Sequence, residues 1–216
     1  MAISMFFGAA KLNSDLLKED PMRLLGTAAI LCGGKSTRMG FDKCSIKVKD
    51  RLLLDIIIEK LSQAFEEVIL VTNDKSRFPN YKNVYVDEYK DCGPAGGIYT
   101  ALLYSKSKYL FAIGCDMPFV NLEYISYMKG LIKENKYDCI LTQKGNWVEP
   151  LYAFYSDDMI PLFKRSLEEG RYKLIDIISK SNYFIVEEKI ARSFSKYLEI
   201  FSNLNFISDL EILKKV

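Results

Sequence analysis

The sequence predicts an α/β fold in which a mostly parallel sheet lies between two layers of helices. Three observations lead there. Short apolar runs at residues 28–32, 68–72 and 109–114 lack the polar alternation of a half-wet strand, so they read as strands covered on both faces. Segments between them place apolar residues at helical spacing, as in Leu53, Ile57, Leu61 and Phe65. Strands that alternate with helices pair in parallel, because each helix carries the chain back across the sheet.

In chain order, residues 1–26 carry no readable chemistry. Asn13, Ser14 and Asp15 offer a cap for a short helix over 16–19 that Pro21 would stop. This stretch reads as an N-terminal extension of unknown role, or as sequence ahead of a start at Met22, with one domain over 27–216. A strand is expected at 28–32, a helix at 52–65, and strands at 68–72 and 83–86. A helix at 96–104, a strand at 109–114 and a helix at 122–133 follow. Then come strands at 139–142 and 148–154, helices at 159–168 and 174–180, a strand at 183–186 and a terminal helix at 209–215.

The bulk numbers agree. At roughly 150 residues per domain, 216 residues favour one domain with a decorated terminus over two. With 49% hydrophobic and 27% charged residues the chain is too apolar to remain disordered. Its net charge of +2 argues against a surface built to hold nucleic acid. The absence of histidine excludes Ser-His-Asp triads and imidazole ligation or acid–base chemistry. Five cysteines, odd in number and without a C-x-x-C, read as reduced thiols of a cytoplasmic protein. No apolar run reaches a membrane span, and the opening residues lack the basic start of a signal peptide.

In such a sheet the working residues lie beyond the carboxyl ends of strands. That selects 33–43, 87–98 and 115–118. In the first, Gly33-Gly34 follows a strand and lets backbone N–H groups approach an anion, while Arg38 and Lys43 add cations suited to a polyphosphate. Gly34-Lys35-Ser36 imitates the end of a P-loop, but that motif needs glycine where Ala29 stands. In the third, Asp116 at a strand end before Met117-Pro118 suits Mg²⁺, which binds through one or two carboxylates plus phosphate oxygens. The competing role, capping the helix at 122–133, belongs better to Asn121. In the second, Asp87 precedes Gly93-Pro94-Ala95-Gly96-Gly97, whose glycines and helix start admit a polar ligand closely. Asn73 offers an amide for a base edge, or is simply a turn residue. The single tryptophan, Trp147, reads as core or rim packing rather than a stacking surface.

The run Leu-x-Gly-Gly-x-x-x-Arg-Met-Gly-x-Asp-Lys at 31–43 resembles the nucleotide-binding signature of the molybdenum cofactor guanylyltransferases. The later pieces follow in the same order: Asn73, Asp87, Gly-Pro-x-x-Gly-Ile at 93–98, Cys-Asp-x-Pro at 115–118, Glu149-Pro150, and Asn203-Leu204-Asn205. Cys32 departs from the usual alanine, and Ala95-Gly96 from a usual Leu-Ala. The resemblance covers roughly residues 27–210. It implies a Rossmann-like nucleotidyltransferase fold and transfer of GMP from GTP to Mo-molybdopterin with release of pyrophosphate. The implied nucleotide-binding set is Leu31, Cys32, Gly33, Lys43, Asn73, Asp87 and Asp116, with Mg²⁺ on Asp116 and Asn203 and Asn205 toward the pterin. Lys43, Arg38 and Asp116 would be the catalytic residues. An acceptor phosphate is already anionic, so no histidine base is needed. Transient contacts with molybdenum-insertion or acceptor enzymes are implied; nucleic acid and membrane are not. The alternatives are the sister cytidylyltransferase, which usually carries Ala-Gly at 33–34, a sugar-phosphate nucleotidyltransferase, and a non-catalytic nucleotide-binding adaptor.

Overall fold

A computed structural model describes residues 24–33 and 43–204. The expected helices at 16–19 and 209–215, together with Arg38 and Asn205, lie outside the described residues. The sheet has seven strands: β1 (Thr27–Leu31), β4 (Glu67–Thr72), β5 (Val84–Val86), β6 (Tyr109–Gly114), β7 (Cys139–Lys144), β8 (Trp147–Ser156) and β9 (Tyr183–Val186). A separate small hairpin pairs β2 (Lys47–Val48) with β3 (Arg51–Leu52). The order across the large sheet is β5-β4-β1-β6-β8-β7-β9, and only β8 runs antiparallel to its neighbours. The expected mostly parallel sheet is thus present, with one reversal.

That reversal has a local cause. Lys144 pairs with Trp147 across a two-residue turn, where Gly145 adopts φ +62°. A turn this short can only fold the chain back beside itself, whereas a parallel neighbour needs a crossover of a dozen residues or more. The β7–β8 register then shifts between Ile140 and Thr142, so that residues 150–153 of β8 face no ladder partner in β7. Pro150, which has no N–H to donate, sits in this bulge, and Tyr152 takes a left-handed φ of 60° there.

Each central strand divides its side chains between two cores. Ala28 and Ile30 of β1 face one cluster with Phe111 and Ile113 of β6, while Ala29 and Leu31 face the other with Leu110 and Ala112. The first face is covered by α1 (Leu53–Leu61), α3 (Leu122–Glu134) and α6 (Glu188–Phe194). The second is covered by α2 (Gly93–Tyr104), α4 (Ile160–Glu168) and α5 (Leu174–Ile178). Leu24 and Leu25, assigned from sequence to an extension, are 3% and 4% exposed and belong to the first core.

Several boundaries differ from expectation. Helix α1 stops at Leu61 rather than continuing to 65, yet Phe65 stays buried and stacks on Phe111 at 5.5 Å. Helix α2 begins at Gly93, earlier than expected, because Pro94 suits a first turn, where its missing N–H costs nothing. As expected, Asn121 caps α3, its Oδ1 accepting from Tyr124 N at 2.9 Å.

Strands β5, β4, β1 and β6 run in parallel side by side, so their carboxyl ends form one edge. The chain goes from β1 outward to β4 and β5, then returns to β6 on the other flank of β1. The crevice where such a sheet reverses its order is the standard place for a ligand.

Candidate active site

Along that edge stand Asp87 after β5, Asn73 after β4, Gly33 after β1, and Asp116 after β6. They border a cavity of about 540 Å³ that Leu31, Lys43, Gly97 and Leu151 also line. This volume suits a small-molecule ligand such as a mononucleotide. The structure therefore brings together Leu31, Gly33, Lys43, Asn73, Asp87 and Asp116, spread over 86 positions of chain, from 31 to 116.

At one end, Lys43 Nζ donates to Asp116 Oδ2 at 2.8 Å, with each side chain 20% exposed. Lys43 arrives on a single 3-10 turn, Lys43–Ser45, that follows the glycine-rich stretch. Asp116 needs the glycine before β6 ends: a Cβ on Gly114 would stand 2.6 Å from Asp116 Oδ1. Leu204 N donates to the Asp116 carbonyl at 2.9 Å, so the exposed Asn203 is held beside this end of the cavity.

At the other end, Asp87 is 9% exposed, and its Oδ1 is buried without a hydrogen-bond partner among the described residues. Burial raises its carboxyl to about 6, and a hydrogen bond from Thr100 offsets part of that rise. A Cβ on Gly33 would lie 3.5 Å from Asp87 Oδ2 and 3.9 Å from Asn73 Nδ2; one on Gly97 would lie 3.8 Å from Asp87 Oδ1. The two glycines thus pack closely against the Asp87 carboxylate, whose Oδ1 is closed off from solvent.

Some expected positions fall elsewhere. The Cys32 side chain is 2% exposed and belongs to the first core, and Cys32 is not among the residues that line the cavity. Its carbonyl accepts from Arg77 Nη1 at 3.4 Å, which brings in a cation that no motif marked. Trp147 is 58% exposed at the hairpin tip, which corrects the core reading. Glu149 is the residue that sequence reasoning passed over. Its pairing with Pro150 was visible, but its 5% exposure and the effect of the Asp116 charge on it come from tertiary packing. Burial raises the Glu149 carboxyl above its ordinary value; the nearby Asp116 charge adds to this, while the Leu151 N–H (3.1 Å to Oε1) and Lys144 work against it.

The donor set fits a hard divalent cation. Two carboxylates, Asp116 and Glu149, lie close enough for the Asp116 charge to act on Glu149, beside a cavity sized for a phosphorylated ligand, and such ions take one or two carboxylates with phosphate oxygens. Among the described residues no helix is long and apolar enough to cross a membrane.

Comparison with known proteins gives these residues a setting. The pattern describing the MobA-like NTP transferase domain matches residues 28–182. A probable molybdenum cofactor guanylyltransferase of Peptoclostridium acidaminophilum is 36% identical over 201 residues, covering 90% of either chain. The molybdenum cofactor guanylyltransferase of Syntrophotalea carbinolica is 38% identical over 187 residues, covering 86% of this chain and 89% of that one. Among solved structures, molybdopterin-guanine dinucleotide biosynthesis protein A from Archaeoglobus fulgidus superposes with a TM-score of 0.77 at 25% identity, over 88% of this chain and 97% of its own. With the strand order, the edge residues and these relatives in agreement, the chain belongs to the MobA-like NTP transferase family and is a nucleotidyltransferase.

Proposed function

We propose that the protein transfers GMP from GTP to the phosphate of Mo-molybdopterin and releases pyrophosphate. The observation that carries this reading is the charge layout of one cavity. A buried carboxylate and an amide lie at one end, and a lysine–carboxylate pair lies at the other. The relatives at 36% and 38% identity carry the guanylyltransferase name, which supports guanine and the molybdenum-bearing pterin as substrates.

In this reading the Asn73 amide reads the base edge, and the Asp87 carboxylate accepts a hydrogen bond from a nucleoside donor. Gly33 and Gly97 let the nucleoside approach without a Cβ in the way. Lys43 faces the triphosphate, where its ammonium answers the charge that builds as pyrophosphate leaves. Arg38, on the same stretch, adds a second cation. Asp116, with Glu149 beside it, would hold Mg²⁺, which supplies charge neutralisation at the α-phosphate. The Lys43–Asp116 pair would have to part for Lys43 to face phosphate and Asp116 to hold the cation. Asn203, tethered beside Asp116 through Leu204, lies toward the pterin, as would Asn205. The acceptor phosphate attacks as an anion, so positioning and charge neutralisation do the catalysis and no histidine is required.

The test is pyrophosphate release with each of four nucleoside triphosphates, Mg²⁺ and purified molybdenum-loaded pterin. GTP alone is expected to support turnover. A preference for CTP would move the assignment to cytidylyl transfer, and release with a sugar phosphate as acceptor would replace the pterin. Tight GTP binding with no release under any condition would leave a nucleotide-binding adaptor.

A further inference from the structure

Three cysteines from separate stretches of chain meet at the carboxyl edge of the sheet. Cys32 directly follows β1, Cys115 directly follows β6, and Cys44 sits on the 3-10 turn Lys43–Ser45. Their sulfur atoms all lie within 4.8 Å of one another. Exposure is 2% for Cys32, 8% for Cys44 and 7% for Cys115, and none of them is in a disulfide. The backbone holds two of them in place, since β1 and β6 pair in register up to Leu31 opposite Gly114, and Cys115 N donates to Leu31 O at 3.2 Å. No other set of three metal-ligating side chains gathers this closely among the described residues.

A small apolar side chain at any one of these positions would serve packing as well as a thiol does. Three sulfur donors converging on one point have a chemistry that packing does not require. Soft thiolates select thiophilic cations over magnesium or calcium, which take oxygen. With metal–sulfur bonds of about 2.3 Å, three sulfurs in a trigonal plane would stand about 4 Å apart. The observed separations therefore need to close by less than about 1 Å.

We propose that Cys32, Cys44 and Cys115 form a three-thiolate site for one thiophilic d¹⁰ cation, Cu(I) or Zn²⁺. Three sulfurs complete the coordination of trigonal Cu(I), whereas Zn²⁺ would recruit a fourth ligand. Each thiol binds as thiolate and releases its proton to solvent, so binding weakens as pH falls. Cys32 and Cys44 bracket residues 33–43, so a bound ion ties both ends of the glycine-rich stretch to the end of β6. That would hold the backbone at Lys43 close to the end of β6.

The experiment titrates the chelator-stripped, reduced full-length protein anaerobically with Cu(I) and, separately, with Zn²⁺ against a chromophoric chelator. One ion per chain is expected for at least one metal, with an affinity that falls at least ~10-fold in Cys44→Ala. X-ray absorption at the metal edge of the loaded wild type is expected to show a sulfur-dominated shell at about 2.3 Å, a readout that does not depend on how the variant folds. Absence of a stoichiometric ion, affinity unchanged in a folded Cys44→Ala, or a shell of nitrogen and oxygen overturns the proposal. None of these outcomes touches the choice of GTP or pterin, so the two readings fail separately.

Discussion

The two ends of the cavity answer their charges differently. Lys43 and Asp116 satisfy each other at 2.8 Å, so that end is at rest without a ligand. Asp87 has a buried oxygen with no partner among the described residues, and burial holds its carboxyl at about 6. A buried polar atom left unpaired costs about 1–3 kcal/mol. The fold thus carries a standing cost at the nucleoside end, while the phosphate end must exchange one ion pair for another. Binding selectivity is therefore expected to concentrate at Asp87, and rate at Lys43 and Asp116.

The sharpest way to break this contrast is Asp116→Asn, which keeps size and removes the charge that attracts the cation. Pyrophosphate release is expected to fall by at least ~100-fold, taking the loss of one electrostatic element of the transition state as guide. Stability, read by melting, should fall by about 1–3 kcal/mol, because the largely buried Lys43 ammonium loses this carboxylate. An unchanged release rate in the folded variant would remove Asp116 from the mechanism. Lys43→Ala comes next, with kcat expected to drop by roughly 10–100-fold and the GTP dissociation constant to rise by far less, since its ammonium gains interaction as the leaving group charges. Near-normal turnover at saturating GTP would contradict that role.

Asp87→Asn tests the other end, with opposite effects on binding and stability. GTP affinity, by titration calorimetry, is expected to weaken about 10-fold, the worth of one hydrogen bond to a charged group. Stability should move the other way. The unfolded carboxyl releases its proton near its ordinary value and the folded one only at about 6, so the folded state binds more protons between these values. Stability contributed by this group therefore falls as pH rises through that window, and the full cost persists above it. The asparagine variant should melt higher than wild type at pH 7.5 and match it near pH 3; equal melting at both would show that the buried charge costs nothing. The smallest effect is expected for Asn203→Ala, a few-fold rise in the pterin KM with GTP affinity unchanged. A change in GTP affinity instead would place Asn203 on the nucleotide side.

How far these features were legible varies by region. Strands β6 and β9 match their expected spans residue for residue, because each is an apolar run closed by polar or glycine neighbours. The hairpin of β2 and β3 and the helix α6 were not foreseen. The hairpin turns through Lys49 and Asp50, at φ 46° and 68°, without the glycine or asparagine that usually announces such a turn. Helix α6 has one fully buried position, Ala191, too faint a stripe to show a helical period. The direction of β8 was also hidden, since an apolar run looks alike whichever way it points.

Along-chain pattern alone determined the alternation of strands and helices, the carboxyl-edge location of the chemistry, and the family, because periodicity and short motifs are written locally. It also named Lys43, Asp87 and Asp116. Packing decided what those residues do to one another. Lys43 and Asp116 are 73 positions apart and meet only because β1 and β6 are neighbours in the sheet. Asp87 becomes a costly buried charge, rather than a surface carboxylate, only where α2 seats Gly97 against it. Glu149 comes under the charge of Asp116, 33 positions away, and three thiols gather from three stretches of chain. Desolvation and through-space distance depend on which strands pair and which helices cover them, so no local stretch of residues can encode them by itself.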